Sequence, residues 1–443
     1  MKLVTRRQFI ELGLIAGGTL AAGGAIVAQT LGRSTGSNGG SNDSAGPTTG
    51  GVGQTAGTPR PSVGPWASRS PIQPTASLAD RRLVVIDMAG GNDGLSMVPP
   101  IGDSRYQQWR PRTALDAATI LPITASVGLH PGLVKLHARG AAIVQAVGVP
   151  QPDLSHFEML RRWWAGDLDS VNESLTGFLG RLADQIGDPT AAAVGVSLGY
   201  GPTPALISDK VVTVSMDPYG DGKFPAPAQL DAATAWTAGW KSMAEYAPTE
   251  PVPFCSARNG AAYALRFSQV AGGFPPPGSG YPTSELGAQL MLAARIVSQD
   301  NGVRIVHVPF LGDFDTHQNH LERHAVLMAE LDDGLDAFLA DLDRRGIAGR
   351  VLVATTSEFG RRLPDNASNG LDHGAASFAM FFGPAVAGLY GTYPSLTALD
   401  RSENLIATLS MSQYYATIAE SWFGVPAPDV LRGSPQPIGG IIA

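Results

Sequence analysis

Residues 83–86 have the sequence LVVI, and residues 90–94, which follow closely, have the sequence GGNDG. A short run of purely aliphatic residues is typical of a strand that is buried on both faces, as strands are in parallel sheets. Similar apolar runs occur later in the chain, at 141–147, 192–196, 303–310, 351–354 and 378–382. These runs predict one central sheet whose strands are largely buried.

Segments with helical periodicity separate these runs, and the clearest extends from Leu321 to Arg345. Its apolar residues recur every three or four positions, at Leu327, Leu331, Leu335, Phe338 and Leu342. Alternating strands and helices predict an α/β fold with a doubly wound, mostly parallel sheet flanked by helices. Ligands bind such sheets at the carboxyl ends of the strands, so the residues after each apolar run are the candidate site residues.

Residues 1–32 have the features of a twin-arginine signal segment. Arg6 and Arg7 are followed by Phe9 and by a mildly apolar stretch that is rich in Gly and Ala. The Tat export machinery reads such a signal, and it translocates folded proteins. We therefore predict an exported protein that is periplasmic, extracellular or membrane-tethered. Cleavage near Ala28 and retention of the segment as a membrane anchor are both open.

Residues 33–79 consist mainly of Gly, Ser, Thr, Pro and Ala, with very few aliphatic residues. Such a composition cannot bury a core, so it predicts a disordered linker. Residues 80–443 show no second linker of this kind. They are therefore predicted to form a single α/β hydrolase-like domain.

Charge and cysteine content restrict the possible functions. The chain has 31 Lys and Arg residues against 38 Asp and Glu residues, for a net charge of −7. The sequence contains no stripe of basic residues, so we predict no nucleic-acid partner. The single cysteine, Cys255, excludes an intrachain disulfide framework and thiolate metal clusters. Any metal would therefore be held by histidine and carboxylate side chains.

Polar clusters follow or closely trail the apolar runs. They have the sequences GGNDG at 90–94, SHF at 155–157, DFDTH at 313–317, SEFGRR at 357–362 and DHG at 372–374. Only 16% of the residues are charged, so this grouping of Asp, Glu and His exceeds background scatter. We predict that at least three of the five clusters meet in one cleft.

The pair Asp315 and His317 is the first candidate for metal binding, because alternate residues of an extended loop point to the same side. Asp313 with His317 fits the same pattern. His320 and His324 follow at helical spacing, so they are either further ligands or hydrogen-bonded structural residues. Neutral imidazole suits zinc, iron, nickel or manganese.

His373 is the second candidate ligand. Gly370 and Gly374 flank it, and glycine lets a backbone bend sharply and approach a ligand closely. The adjacent Asp372 either binds metal, fixes the tautomer of the imidazole or stabilises a turn. Asp93 lies in the glycine-bounded turn after the first strand and is a further candidate ligand.

The SEFGRR cluster places an acid beside two arginines. Glu358 is a candidate metal ligand, and Arg361 either clamps an oxyanion such as phosphate or sulfate or pairs with Glu358 in a salt bridge. Ser155 precedes a predicted helix, so it is either the N-cap residue or a hydroxyl nucleophile. His156 or a cation would activate that hydroxyl.

Taken together, these motifs resemble the exported domain-of-unknown-function family 1501, which is grouped with the alkaline phosphatase and sulfatase superfamily. The resemblance runs from about Leu83 to the C-terminus. Its motifs occur in the family's order, as GGNDGL at 90–95, LHP at 129–131, SHF at 155–157, TGFLGR at 176–181, DTH at 315–317, SEFGRR at 357–362 and DHG at 372–374.

The resemblance implies a doubly wound α/β fold, and the phosphatase members of the superfamily use two zinc ions with Asp and His ligands. Asp315, His317 and His373 resemble one of those metal sites. Asp93 and Glu358 resemble part of the other. Zinc is therefore the divalent metal that the resemblance favours.

Departures from the superfamily pattern are also visible. Phe359 stands where phosphatases have His, no Cys-x-Pro-x-Arg sulfatase signature occurs, and residues 405–411 lack an acidic stretch.

The sequence thus predicts an exported hydrolase that acts on a small-molecule or polymeric phosphate or sulfate ester. A divalent cation would activate Ser155 or a water, and Arg361 or Arg181 would stabilise negative charge. The alternative is a non-catalytic envelope or surface binding protein on the same fold.

Overall fold

The computed structural model describes residues 72–169, 176–220, 238–239, 241–242 and 252–443. The predicted twin-arginine segment lies outside these residues, as does most of the predicted linker. At the end of that linker, the backbone N–H of Thr75 donates to the carbonyl of Gly349. In the described ranges, no helix combines the length and the apolar character needed to span a membrane.

A sheet of nine strands, counted over the described residues, forms the central layer. The strands of the described residues, two of which lie outside this sheet, are β1 (Arg82–Met88), β2 (Leu121–Pro122), β3 (Gly128–Leu129), β4 (Ala142–Gly148), β5 (Gly195–Ser197), β6 (Thr213–Ser215), β7 (Ile305–Phe310), β8 (Val351–Thr356), β9 (Ser377–Phe382), β10 (Gly388–Tyr390) and β11 (Leu409–Ser410). Their order in the sheet is β10-β4-β9-β8-β1-β7-β5-β6, and β11 also pairs with β4. β2 and β3 form a separate antiparallel ribbon.

The pairing agrees with the predicted sheet. β1 is parallel to both β7 and β8, and β5 is parallel to both β6 and β7. β9 runs antiparallel to its neighbours β4 and β8. Each apolar run identified in the sequence lies in or overlaps one of these strands. The mostly parallel sheet is therefore confirmed.

Helices cover the sheet. They are α1 (Gly94–Met97), α2 (Ser104–Trp109), α3 (Val134–Arg139), α4 (His156–Ala165), α5 (Phe178–Ile186), α6 (Val252–Gly272), α7 (Glu285–Val297), α8 (His320–Arg344) and α9 (Met411–Ala416). The long helix predicted from periodicity corresponds to α8, with each end within one residue of the prediction.

Both faces of the sheet are buried. Val84 and Ile86 of β1 belong to one hydrophobic cluster, together with residues of α7 and α8. Leu83 and Val85 belong to another, together with residues of α4, α5 and α9. Because successive strand residues point to opposite faces, an unbroken aliphatic strand needs helices on both sides. The doubly wound α/β class is confirmed.

The direction of β9 decides which loops meet at the site. Asp315 follows β7 and Glu358 follows β8, so both lie beyond the carboxyl ends of parallel strands. His373 precedes β9, and the amino end of an antiparallel strand lies at the same edge of the sheet. Side chains from the loops after β7 and β8 and from the segment just before β9 therefore lie at the same edge of the sheet.

Candidate metal centre

His317 and His373 converge on one oxygen of Asp315. Their Nε2 atoms lie 3.1 and 3.2 Å from Asp315 Oδ1, and they lie 2.9 Å from each other. His156 Nε2 approaches the other carboxylate oxygen, Oδ2, at 3.7 Å. The possible ligand atoms of His156, Asp315 and His373 all lie within 4.8 Å of one another. We call His156, Asp315, His317 and His373 the central cluster.

Each imidazole of the central cluster has its Nδ1 atom next to an oxygen that only accepts hydrogen bonds. The Nδ1 contacts are His156 with Glu358 Oε1 at 2.9 Å, His317 with Asp372 Oδ1 at 3.0 Å, and His373 with the Leu154 carbonyl at 2.8 Å. Carboxylate and carbonyl oxygens have no hydrogen to give, so each Nδ1 is the donor. A neutral ring then carries its lone pair on Nε2, facing Asp315.

This arrangement fits a divalent cation. Metal-bound histidines commonly donate their second ring N–H to a carboxylate or a backbone carbonyl, as all three rings do here. In a tetrahedral zinc site the ligand atoms are about 3.3 Å apart. The contacts of His317 and His373 with Asp315 Oδ1 are close to that spacing. Burial lowers the pKa of His317 despite the hydrogen bond with Asp372, which favours the neutral ring that a metal requires.

Glu358 lies directly behind His156 and is 1% exposed. Its Oε1 atom also accepts from the backbone N–H of Gly90 at 2.8 Å, while Oε2 is buried without a hydrogen-bond partner among the described residues. Gly90 has φ +116, and a Cβ atom at this position would lie 2.9 Å from the backbone nitrogen of Asp315. Glycine at this position therefore lets the turn after β1 pack against the Asp315 backbone while its N–H bonds to Glu358.

Arg361 lies beneath the central cluster and is almost completely buried. Its Nη2 atom donates to Asp315 Oδ1 at 2.8 Å. The guanidinium also donates to the backbone carbonyls of Gly90, Gly91, Phe314 and Leu371. These bonds join the loops after β1, β7 and β8. Of the two sequence alternatives for Arg361, the geometry gives a buried ion pair, but its carboxylate partner is Asp315 and not Glu358.

Asp372 contacts the outer side of His317 and is partly exposed. Burial alone would raise the pKa of Asp372, but hydrogen bonds from Asn366 and His317 outweigh it and hold the pKa below its ordinary value. The carboxylate is therefore ionised and accepts from His317 Nδ1. In this position Asp372 orients the ring, which was one of the three roles considered for it.

Close packing explains the two glycines around His373. A Cβ atom at Gly370 would lie 2.0 Å from the carbonyl carbon of His317, and one at Gly374 would lie 2.2 Å from the carbonyl carbon of Arg361. Glycine at these positions thus lets the DHG loop pack directly against the DTH and SEFGRR loops.

Ser155 is the N-cap residue of α4, next to the central cluster. Its side chain makes no capping hydrogen bond within the described chain. The preceding residue, Leu154, has φ +64, a conformation that L residues adopt at a cost. Its carbonyl is the acceptor for His373 Nδ1. Ser155 is therefore held beside the central cluster by the backbone on either side of it.

Arg181 lies in α5, away from the central cluster. Its guanidinium donates to the carbonyls of Ala165, Thr176 and Val430 at 2.6, 2.7 and 2.9 Å. These bonds join α5 to neighbouring segments. The geometry therefore gives Arg181 a structural position.

Asp93 forms a buried ion pair with Arg110, with contacts of 2.5 and 3.0 Å. It also accepts from the backbone N–H of Ser96 at the start of α1. Burial would raise the pKa of Asp93, but Arg110 and His320 hold it well below the ordinary value. Both carboxylate oxygens of Asp93 are thus engaged outside the central cluster.

A second set of histidines, the buried group of His130, His320 and His324, lies next to Asp93. His320 Nδ1 is 2.8 Å from Thr316 Oγ1, and His324 Nε2 is 3.0 Å from Asn92 Oδ1. The rings of His320 and His324 stack at 4.9 Å. These contacts agree with the structural alternative for His320 and His324.

The stability of the protein should fall as the pH drops below about 6.5, because burial lowers the pKa of all three histidines of the buried group. The pKa of His130 falls from 6.5 to about 4. Between these values the unfolded chain binds the proton and the folded chain does not. Protonation therefore favours unfolding, by roughly 3 kcal/mol for His130 alone at pH 4.

Urea unfolding of the metal-free protein at pH 7.5, 6.0 and 5.0 measures this dependence. His130→Asn keeps an acceptor for the Gly132 N–H, which now bonds to His130 Nδ1, but removes the titrating ring. Its free energy of unfolding should depend less steeply on pH. Equal slopes for the variant and the wild type would contradict the role given to His130.

The sequence did not reveal every residue of the site. His156 or a cation was predicted to activate Ser155, and in the structure the Nε2 atom of His156 lies 3.7 Å from Asp315 Oδ2. The signal for a ligand was present, since His156 follows a predicted strand as the other candidates do. Leu154 and Asn366 act through a backbone carbonyl and a loop amide, for which the sequence pattern offers no signal.

The chain is similar in fold to several solved structures, including the following three. A sulfatase from Pseudoalteromonas sp. is 11% identical, with 81% of this chain and 70% of that chain covered and a TM-score of 0.39. The zinc complex of the C-terminal periplasmic domain of EptC from Escherichia coli is 9% identical, with 79% and 85% covered and a TM-score of 0.37. A phosphonate monoester hydrolase from Silicibacter pomeroyi is 12% identical, with 77% and 72% covered and a TM-score of 0.33.

No curated protein matches the chain. A family model does match, over the part of the chain that contains β7, α8, β8, β9 and most of the central cluster. Residues 271–417 match the family described as protein of unknown function DUF1501, and the resemblance seen in the sequence motifs is confirmed over these residues.

Proposed function

We propose that this protein is an exported, metal-dependent hydrolase of phosphate or sulfate esters, and that the central cluster is its metal centre. One observation carries the proposal. Three imidazoles donate their Nδ1 hydrogens outwards, so that their Nε2 lone pairs face the carboxylate of Asp315. Lone pairs and a carboxylate at these distances repel one another unless a cation lies between them.

The donor set suits zinc, which takes imidazole nitrogen and carboxylate oxygen as ligands in catalytic sites. When bound, such a cation would act as a Lewis acid on an ester oxygen. Ser155, immediately before His156, would provide the hydroxyl nucleophile, and a water is the alternative nucleophile. Arg361 would keep Asp315 ionised and correctly oriented rather than contact the substrate.

Phe359 favours one cation over two. Its ring packs against those of His156 and His373, with centroid distances of 4.9 and 4.6 Å. A phenyl ring offers no ligand atom, so this wall of the central cluster is apolar. The same residue is the main support for the second candidate function, a binding protein without catalytic activity.

Elemental analysis of natively purified protein, followed by a screen of aryl phosphate and sulfate esters, tests the proposal. We expect about one equivalent of zinc or a similar divalent metal, together with ester hydrolysis that a chelator removes. Stoichiometric metal without hydrolysis of either ester class would favour the binding protein. Failure of the native protein to bind zinc, manganese, iron or nickel would refute the metal centre.

Export provides a separate prediction. Replacing Arg6 and Arg7 by Lys should leave the protein in the cytoplasm, because the Tat route reads the paired arginines. Cell fractionation followed by immunoblotting measures the distribution. The matched control replaces Arg60 and Arg69 by Lys, which makes the same chemical change within the predicted linker. Normal export of the Arg6 and Arg7 variant would show that the segment is not a twin-arginine signal.

A further inference from the structure

We propose that Asn366 is a positioning residue of the metal centre, and that it sets the orientation of His317 through Asp372. The inference rests on the proposed function, since it concerns the same central cluster. Asn366 lies in the loop between β8 and β9, and it does not contact Asp315 directly.

The side-chain amide of Asn366 is fully engaged. Its Nδ2 atom donates to Asp372 Oδ1 and to the backbone carbonyl of His317, both at 3.0 Å. Its Oδ1 atom accepts from the backbone N–H groups of Ser368 and Gly370, at 2.9 and 3.0 Å. An amide of this kind can be placed in only one way, because exchanging its oxygen and nitrogen would set donors against donors and acceptors against acceptors.

A single oxygen links Asn366 to His317. Asp372 Oδ1 accepts from Asn366 Nδ2 and from His317 Nδ1, each at 3.0 Å. The side chains of His317 and Asp372 are 42% and 46% exposed, so packing alone does not fix either of them. The bond from Asn366 holds the carboxylate in place, and the carboxylate holds the ring with Nε2 towards Asp315.

The loop around Asn366 is also attached to the start of α8. The carbonyls of Ser368 and Asn369 accept from the backbone N–H groups of Asn319 and His320. Gly370 packs against the His317 carbonyl, which is one of the two acceptors for Asn366 Nδ2. The amide therefore lies where the helix start, the DTH loop and the DHG loop meet.

Asn366→Asp separates positioning from loop formation. The variant keeps an oxygen for the N–H groups of Ser368 and Gly370, but it places a second carboxylate oxygen against Asp372. We expect the zinc affinity of the full-length protein, measured by competition with a chromogenic chelator, to fall about 10- to 100-fold. The matched control is Asn404→Asp, because Asn404 Nδ2 donates to Asp400 Oδ2 at 2.8 Å in a separate turn. Its zinc affinity should stay within about twofold of the wild type.

A double-mutant cycle with Asp372→Ala tests whether the effect passes through Asp372. In the Asp372→Ala background, the carboxylate that accepts from Asn366 Nδ2 and His317 Nδ1 is absent. Asn366→Asp should therefore lower the zinc affinity much less in this background than in the wild type. An equal fall in both backgrounds would overturn the assigned role.

A readout without metal distinguishes this inference from the proposed function. Nitrogen-15 chemical shifts of the histidine side chains should show His317 protonated on Nδ1 in the metal-free wild type, and a mixed tautomer in Asn366→Asp. If the wild type binds none of zinc, manganese, iron and nickel but the tautomer changes as expected, the proposed metal centre fails while the orientation of His317 by Asn366 stands. If Asn366→Asp keeps both the zinc affinity and the tautomer of the wild type, the positioning role is wrong.

Discussion

Asp315→Asn should abolish metal binding and lower the stability of the protein. Asp315 contacts three imidazoles and also the buried guanidinium of Arg361. The substitution keeps the shape of the side chain but removes its negative charge. Zinc would lose its anionic ligand, and Arg361 would lose its opposite charge. Breaking a buried ion pair costs about 3–5 kcal/mol, so the free energy of unfolding should fall by about that amount.

Asp313 provides a matched control two residues away in the same loop. Its side chain is 69% exposed and pairs with Arg323 on the surface. Asp313→Asn should therefore change the free energy of unfolding by less than about 1 kcal/mol and leave the metal content unchanged. Chemical denaturation and elemental analysis of both variants measure the contrast. Full metal content in Asp315→Asn would remove Asp315 from the proposed centre.

His373→Ala should remove the metal and the ester hydrolysis while the fold remains. The His373 side chain is 22% exposed and lies in a loop, so we expect a stability loss of only about 1 kcal/mol. A lost metal ligand withdraws the Lewis acid, an effect of several kcal/mol. The rate should therefore fall by roughly two or more orders of magnitude.

Elemental analysis, hydrolysis rates and circular dichroism test this prediction together. His137→Ala is the control, because His137 Nε2 contacts the carbonyl of Pro122 and lies outside the central cluster. It should keep its metal and its rate. If His373→Ala keeps both as well, His373 is structural. Should the variant also unfold, Ser155→Ala becomes the test of catalysis, since it changes only a hydroxyl at the N-terminus of α4.

The fold followed from the sequence because each of its main strands contains a short, largely apolar run. Such a run needs cover on both faces, and only helices between parallel strands provide it. The sequence did not specify the direction of β9. β9 is largely apolar, as are its antiparallel neighbours β4 and β8, so hydrophobicity alone does not encode its orientation.

The candidate site was predictable in part for the same reason. Asp315, His317 and Glu358 follow strands, and the rule for parallel sheets places them at one edge. Asp93 also follows a strand, but in the structure it forms an ion pair with Arg110. No local sequence pattern around Asp93 predicts a partner seventeen positions later. Pairing between distant side chains depends on the packed structure. The sequence therefore predicted which side chains lie at this edge of the sheet, but not which side chains they contact.

The contacts of Arg361 also bear on whether the protein folds before or after it binds a metal ion. Its guanidinium gives Asp315 a permanent counter-charge and fixes three loops through backbone carbonyls, all without a metal ion. These contacts would hold the loops of the proposed centre together before any ion binds, despite the repulsion between Asp315 and the imidazole lone pairs, in contrast to small zinc domains that stay unfolded until metal arrives. If the central cluster is the metal centre, folding and metal loading would be separate events. Such a protein would be able to lose and regain the ion without refolding.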